Sequence, residues 1–146
     1  MKQINSLFIS LFIVGLFAAC ELETSPNGKL DGYWHLETID TLATNASGDL
    51  AQKRLFWSFQ NKLLEIRDRD NLHSTCLLRF EQRADSLILS EPHLYNRDEG
   101  DEPLKDTSQL APYGINMPTE RFKIERLDGA RLILINKSYR IYLVRF

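Results

Sequence analysis

Three histidines, two cysteines and a scatter of hydroxyls and carboxylates are the side chains of this sequence with reactive chemistry to offer. A zinc centre needs imidazole or thiolate ligands a few residues apart, but His35, His73 and His93 stand far from one another and from Cys20 and Cys76. An elbow-type hydrolase needs Gly-x-Ser-x-Gly, which no serine here has, and Cys76 lies in an apolar stretch with no base beside it. The acidic run Asp98, Glu99, Asp101 and Glu102 around Gly100 lacks the ligand spacing of a calcium loop and reads as a solvated tip. Carboxylates are plentiful in turns, yet a glycosidase pair is defined by separation in space, which the sequence does not fix. No catalytic residue, metal or cofactor is therefore expected, and the chain is expected not to be an enzyme.

Cys20 has a different setting. Lys2 supplies a positive start, Leu7 to Phe17 is an apolar run broken only by Ser10 and Gly15, and the small Ala18 and Ala19 follow. The run falls short of the roughly 20 apolar residues that span a bilayer, so residues 1–19 read as a secretory signal peptide. The segment Leu16-Phe17-Ala18-Ala19-Cys20 resembles the bacterial lipobox, with Phe17 in place of the usual aliphatic residue. That resemblance implies a diacylated Cys20 at the mature N-terminus, a membrane partner reached through lipid, and a place in the cell envelope, with the outer membrane the expected location. Residues 20–29, rich in Thr, Ser, Pro, Asn and Gly, suit a tether. With Cys20 acylated, Cys76 becomes a lone thiol, expected as a small buried hydrophobe.

Composition excludes other classes. The chain of 146 residues is 43% hydrophobic and 26% charged with a formal net charge of -2, which suits one globular domain over residues 30–146. Basic residues are interleaved with acidic ones, as in Arg67, Asp68, Arg69 and Asp70, so no continuous phosphate-tracking stripe exists and nucleic acid is not expected as a partner.

The elements that must position any site are short strands. Trp34 and Leu36 alternate with His35 and Glu37; Leu55, Trp57 and Phe59 with Phe56, Ser58 and Gln60; Cys76, Leu78 and Phe80 with Leu77, Arg79 and Glu81; Phe122 and Ile124 with Arg121, Lys123 and Glu125. Period-two alternation of this kind marks strands buried on one face. Turn residues at Gln60-Asn61-Lys62, Arg83-Ala84-Asp85, Asp128-Gly129 and Asn136-Lys137-Ser138 join successive strands into hairpins. The expected architecture is all-β, an up-and-down antiparallel barrel of about eight strands. Residues 92–118 are too long for an empty connection; a short helix over 104–110 is expected to bring Leu110 and Tyr113 onto the barrel.

Leu30-Asp31-Gly32-Tyr33-Trp34 opens the first strand with Gly-x-Trp, and Pro112-Tyr113-Gly114-Ile115 and Arg145-Phe146 follow near the end. Together with the lipobox and the strand count, these motifs resemble the lipocalin-like lipoproteins of Bacteroidetes. The resemblance implies a barrel in which Gly32 allows the bend, Trp34 plugs one end, and Arg145 or Arg140 packs over Trp34. It transfers no activity, since fold does not fix function. Two functional expectations are carried forward. In the first, Trp57, Phe59, Leu78, Phe80, Tyr113, Phe122 and Ile124 line an interior that binds a small apolar or amphipathic ligand, with Tyr113-Gly114-Ile115 as a lid. In the second, the barrel is filled and an outer surface docks to another envelope component. Asp40-Thr41-Leu42 and Asp85-Ser86-Leu87 are also similar to a three-residue O-glycosylation pattern of envelope proteins in that phylum.

Overall fold

The structure is a computed structural model that describes residues 26–146; the signal-peptide and lipid-attachment expectations at residues 1–20 lie outside the described residues. After a 3-10 turn, η1 (Gly28–Leu30), come β1 (Gly32–Thr41), β2 (Ala46–Asp49), β3 (Leu55–Gln60), β4 (Leu63–Asp68), β5 (Cys76–Arg83), β6 (Ser86–Leu94) and β7 (Glu102–Pro103). A second 3-10 helix, η2 (Thr107–Tyr113), precedes β8 (Glu120–Leu127), β9 (Arg131–Ile135) and β10 (Tyr139–Arg145). Every pairing is antiparallel, and β10 returns to β1, so that β1, β3, β4, β5, β6, β8, β9 and β10 close an eight-stranded barrel. Closure satisfies edges that an open sheet would leave bare.

The two short strands were not foreseen. Residues Gly32 to His35 of β1 pair with β3, whereas Thr38 to Thr41 pair on the same side with β2. An irregularity in register between Leu36 and Thr38 marks where β1 passes from one neighbour to the other. The strand β6 divides similarly, pairing β8 through Ser86 to Leu89 and β7 through His93 and Leu94.

The register fixes two ends. The chain enters at one, where η1, the β3–β4 turn at Asn61, the β5–β6 turn at Ala84 and the β8–β9 turn at Gly129 gather; this is called the entry end below. The opposite end, the mouth, carries the segment from Arg69 to Thr75 and the turn at Asn136 to Ser138. Asn61 and Ala84 have φ of 56° and 50°, and the asparagine suits that left-handed conformation better than the alanine.

The long connection packs as expected, though its helix differs in place and type. Asp106 begins it at Thr107 by accepting the Ser108 amide at 3.0 Å, while Leu104 is held extended by its bond to the Pro92 carbonyl at 2.8 Å. The result is a 3-10 helix over Thr107–Tyr113 instead of a helix over 104–110, with Leu110 and Tyr113 fully buried. Gly114 ends it at φ 83°, and a Cβ there would lie 2.7 Å from Ile141 Cδ1, so the left-handed cap and the close approach both call for glycine.

Candidate functional site: the barrel interior and its two closures

Inward positions of every barrel strand meet in one cluster, and large rings fill its middle. Trp57 lies 6.1 Å from Phe59 and 6.2 Å from Phe122 between ring centres, and Phe59 meets Phe80 edge-on at 5.0 Å. Trp57 and Phe122 are 0% exposed, Leu78 1% and Phe59 2%. A void large enough for a water would leave accessible surface on the side chains around it, so these side chains occupy the space between them. Six of the expected lining residues, Trp57, Phe59, Leu78, Phe80, Tyr113 and Phe122, are buried, and Ile124 is partly buried against the same core.

Trp34 and Arg145 close the entry end. Trp34 Nε1 donates to the Leu30 carbonyl at 2.9 Å, which ties η1 beneath the ring. Arg145, opposite Trp34 in the β1–β10 register, donates to the carbonyls of Asp31 and Gly129, each at 2.9 Å, and of Lys29. Arg140 is elsewhere, in a two-pronged pair with Glu125 at 2.8 and 3.1 Å. Gly32 has φ 126° and leaves the space that Arg145 Nη1 fills, 2.3 Å from where a Cβ would stand.

Tyr113 closes the mouth. Its hydroxyl donates to the Ser74 carbonyl at 3.1 Å. Burial, and after it the charge of Asp68, raises its phenol above the ordinary value. The buried carboxylate of Glu120 accepts from the Asn116 amide at 3.2 Å and Asn136 Nδ2 at 3.0 Å, pinning the chain just after the plug. Asp68, also buried, accepts the amides of Asp70 and Leu72 at 2.8 and 3.1 Å and shapes the neighbouring turn. Cys76 lies within the core, where burial pushes its thiol up to about 11.

Among the described residues, one polar atom of the interior has no partner, the buried Trp57 Nε1. An unpaired buried donor costs about 1–3 kcal/mol. Among the described residues, the core residue Phe80 lines an outer cleft of about 920 Å³ beside η1 and the β5–β6 hairpin, and the core residue Leu143 lines a smaller one beside Tyr142. The two smaller clefts, about 510 and 340 Å³, lie against the outer wall beside Tyr95 and Tyr142 respectively.

Sequence reasoning missed an aromatic group on the outer wall. Phe56 occupies an outward position yet is nearly buried, stacked on Tyr33 at 4.7 Å and flanked by Phe146 at 5.0 Å and His35 at 5.0 Å. His35, on the outer face of β1, is half-buried, with Nε2 2.7 Å from the Lys53 carbonyl. The signal was a phenylalanine on the polar face of its strand. Among the described residues, no group of three or more His, Cys, Asp and Glu could hold a metal, and no helix is long and apolar enough to cross a membrane. Thr41 and Ser86, from the two glycosylation-like triplets, are each half-exposed at strand ends.

A family model described as a lipocalin-like domain matches residues 15–146. The crystal structure of a lipocalin-like protein from Bacteroides uniformis aligns with a TM-score of 0.62 at 18% identity, covering 82% of this chain and all of that one. An uncharacterized protein from Bacteroides eggerthii aligns with a TM-score of 0.57 at 13% identity, covering 80% of this chain and 98% of that one. At these identities the structural likeness speaks for the fold. No curated protein matches.

Proposed function

Because the chain belongs to the lipocalin-like domain family, we propose that it is a non-catalytic, lipid-anchored binding protein of a bacterial cell envelope, whose barrel is solid and whose outer surface makes the recognition contacts. The observation that carries this reading is the filled interior. Small-molecule sites are typically clefts of about 300–1,000 Å³ that enclose most of their ligand, and the space such a ligand would take here is held by Trp57, Phe59, Leu78 and Phe122. The lipid on Cys20 rests on its lipobox-like setting. An anchored solid barrel then serves as a rigid platform for another envelope component.

Titration with an apolar dye whose emission rises on leaving water tests the solid interior. The expected result is no saturable one-to-one uptake. Stoichiometric binding accompanied by quenching of tryptophan emission overturns it.

A second reading, uptake of a small amphipathic ligand into the barrel, is favoured by Trp57. Its unpaired indole N–H is a donor that a ligand's acceptor would satisfy. In that reading the Tyr113-Gly114-Ile115 lid must lift and the core rings must move apart. Native mass spectrometry of protein from its own host distinguishes the two, since only the second retains a bound molecule.

A further inference from the structure

We propose that the cleft beside η1 is a docking groove for the chain's own residues 21–25, with Leu22 on its apolar lining and Glu21 and Glu23 on its lysines. The inference goes beyond the reading above and does not depend on lipid at Cys20. Place is the first argument. Pro26, Asn27 and Gly28 line this cleft of about 920 Å³, so residue 25 is bonded directly to its wall. Asn27 donates to the Asn61 carbonyl at 2.6 Å and to Asp31 Oδ1 at 2.7 Å, which fixes the point from which the preceding residues start. From Pro26 back to Leu22 a fully extended chain reaches at most about 14 Å. So short a covalent link gives this segment a high effective concentration at the cleft, which a separate partner would have to match.

Apolar surface is the second argument. Phe80, Ile88 and Leu127 contribute to the lining, and Leu22 is the one aliphatic residue between Cys20 and Pro26. Charge is the third. Lys29, Lys62 and Arg79 line the cleft with a single carboxylate, Glu81. Glu81 is engaged by Arg83 at 2.7 Å, and Arg79 by Glu91 at 2.8 Å. Asp31 and Asp85 stand nearby, outside the lining, and Asp31 is taken up by Asn27. Neither lysine has an ion pair among the described residues. The lysines are therefore the uncommitted charges of the lining, and the residues on either side of Leu22 are glutamates. Exposed ion pairs are weak one at a time, so the buried leucine and the short link must carry part of the affinity.

NMR of the full chain in nonionic detergent tests the docking, through nuclear Overhauser contacts from the Leu22 methyls to the Phe80 ring and to the methyls of Ile88 and Leu127. The expected result is that these contacts are present, are lost in the Lys29→Glu/Lys62→Glu variant, and return when Glu21→Lys and Glu23→Lys are added to it. Both lysines are exposed and both glutamates lie outside the barrel, so the fold should survive. Unchanged contacts between Trp57 and Phe122 verify that it does. Absence of the Leu22 contacts in the unsubstituted chain, their survival in the charge-reversed variant, or a swap that fails to restore them overturns the inference. So do contacts that arise only between chains when labelled and unlabelled copies are mixed, because the occupant is then a second copy.

Discussion

The guanidinium carbon of Arg145 lies 4.2 Å from the centre of the Trp34 ring, across the seam where the last barrel strand meets the first. Arg145 also gathers the carbonyls of Lys29, Asp31 and Gly129, so one side chain joins the entering chain, the first strand and the β8–β9 turn. Arg145→Ala removes three charge-assisted bonds and a cation–π contact, and should cost about 2–4 kcal/mol. Arg145→Lys should recover only a minor part, because a single ammonium cannot span the same fan of acceptors. Urea unfolding followed by tryptophan emission measures both.

Trp34→Ala should be among the most damaging single changes. The ring is fully buried and its N–H holds the Leu30 carbonyl, so truncation leaves a large cavity and an orphaned acceptor, a loss of about 3–5 kcal/mol. A loss under 1 kcal/mol in the same unfolding assay would contradict the buried placement.

Gly32→Ala should destabilise by about 1–3 kcal/mol, because φ 126° is strained for any residue with a side chain. The new methyl would also displace Arg145 Nη1. Combined with Arg145→Ala, the double variant should lose less than the sum of the two single losses, since both changes break the same contact.

Stability should fall in alkali, and the sign follows from the protons. The phenol of Tyr113 is raised above its ordinary 10.0 and the thiol of Cys76 is raised from 9.0 to about 11, both chiefly by burial. The folded state therefore keeps its protons where the unfolded chain has begun to lose them. The contribution is whole below pH 9 and is lost progressively as pH rises through the raised values. Tyr113→Phe should flatten the alkaline fall while lowering neutral stability by about 0.5–1.5 kcal/mol through loss of the bond to Ser74. Denaturation midpoints between neutrality and strong alkali test it.

Cys76 should resist alkylation in the native protein and react at once in denaturant, since the thiolate is the reactive form and burial disfavours it. Mass spectrometry after iodoacetamide treatment reads the difference. Rapid native labelling would mean that the core opens far more readily than its packing implies.

Much of the fold was legible because period-two alternation carries direct information about a barrel wall. Leu55, Trp57 and Phe59 had to face one way, and the turn at Asn61 had to reverse the chain. β2 and β7 were not legible, since Ala46 to Asp49 is exposed throughout and Glu102–Pro103 has only two residues, so neither has an alternation to read. The outer ring cluster was hidden for the opposite reason. Its members come from β1, β3 and the final residue, and only closure of the ring brings Phe146 against Phe56. Nor could sequence decide whether Arg140 or Arg145 covers Trp34. Both lie on β10, and the choice depends on a register set by β1.

The seam between β1 and β10 also sets an order of events in folding. Trp34 and Arg145 stand 111 positions apart in the chain and are neighbours in the sheet. Neighbouring hairpins close short loops, whereas this pairing closes nearly the whole domain and carries the largest loop-entropy cost of any in the barrel. A growing chain that has not delivered β10 lacks the partner of its first strand and the cover for Trp34. Chains cut short before Tyr139 should therefore remain open, sticky intermediates, and the slowest step in folding should be the meeting of the two strands at the seam.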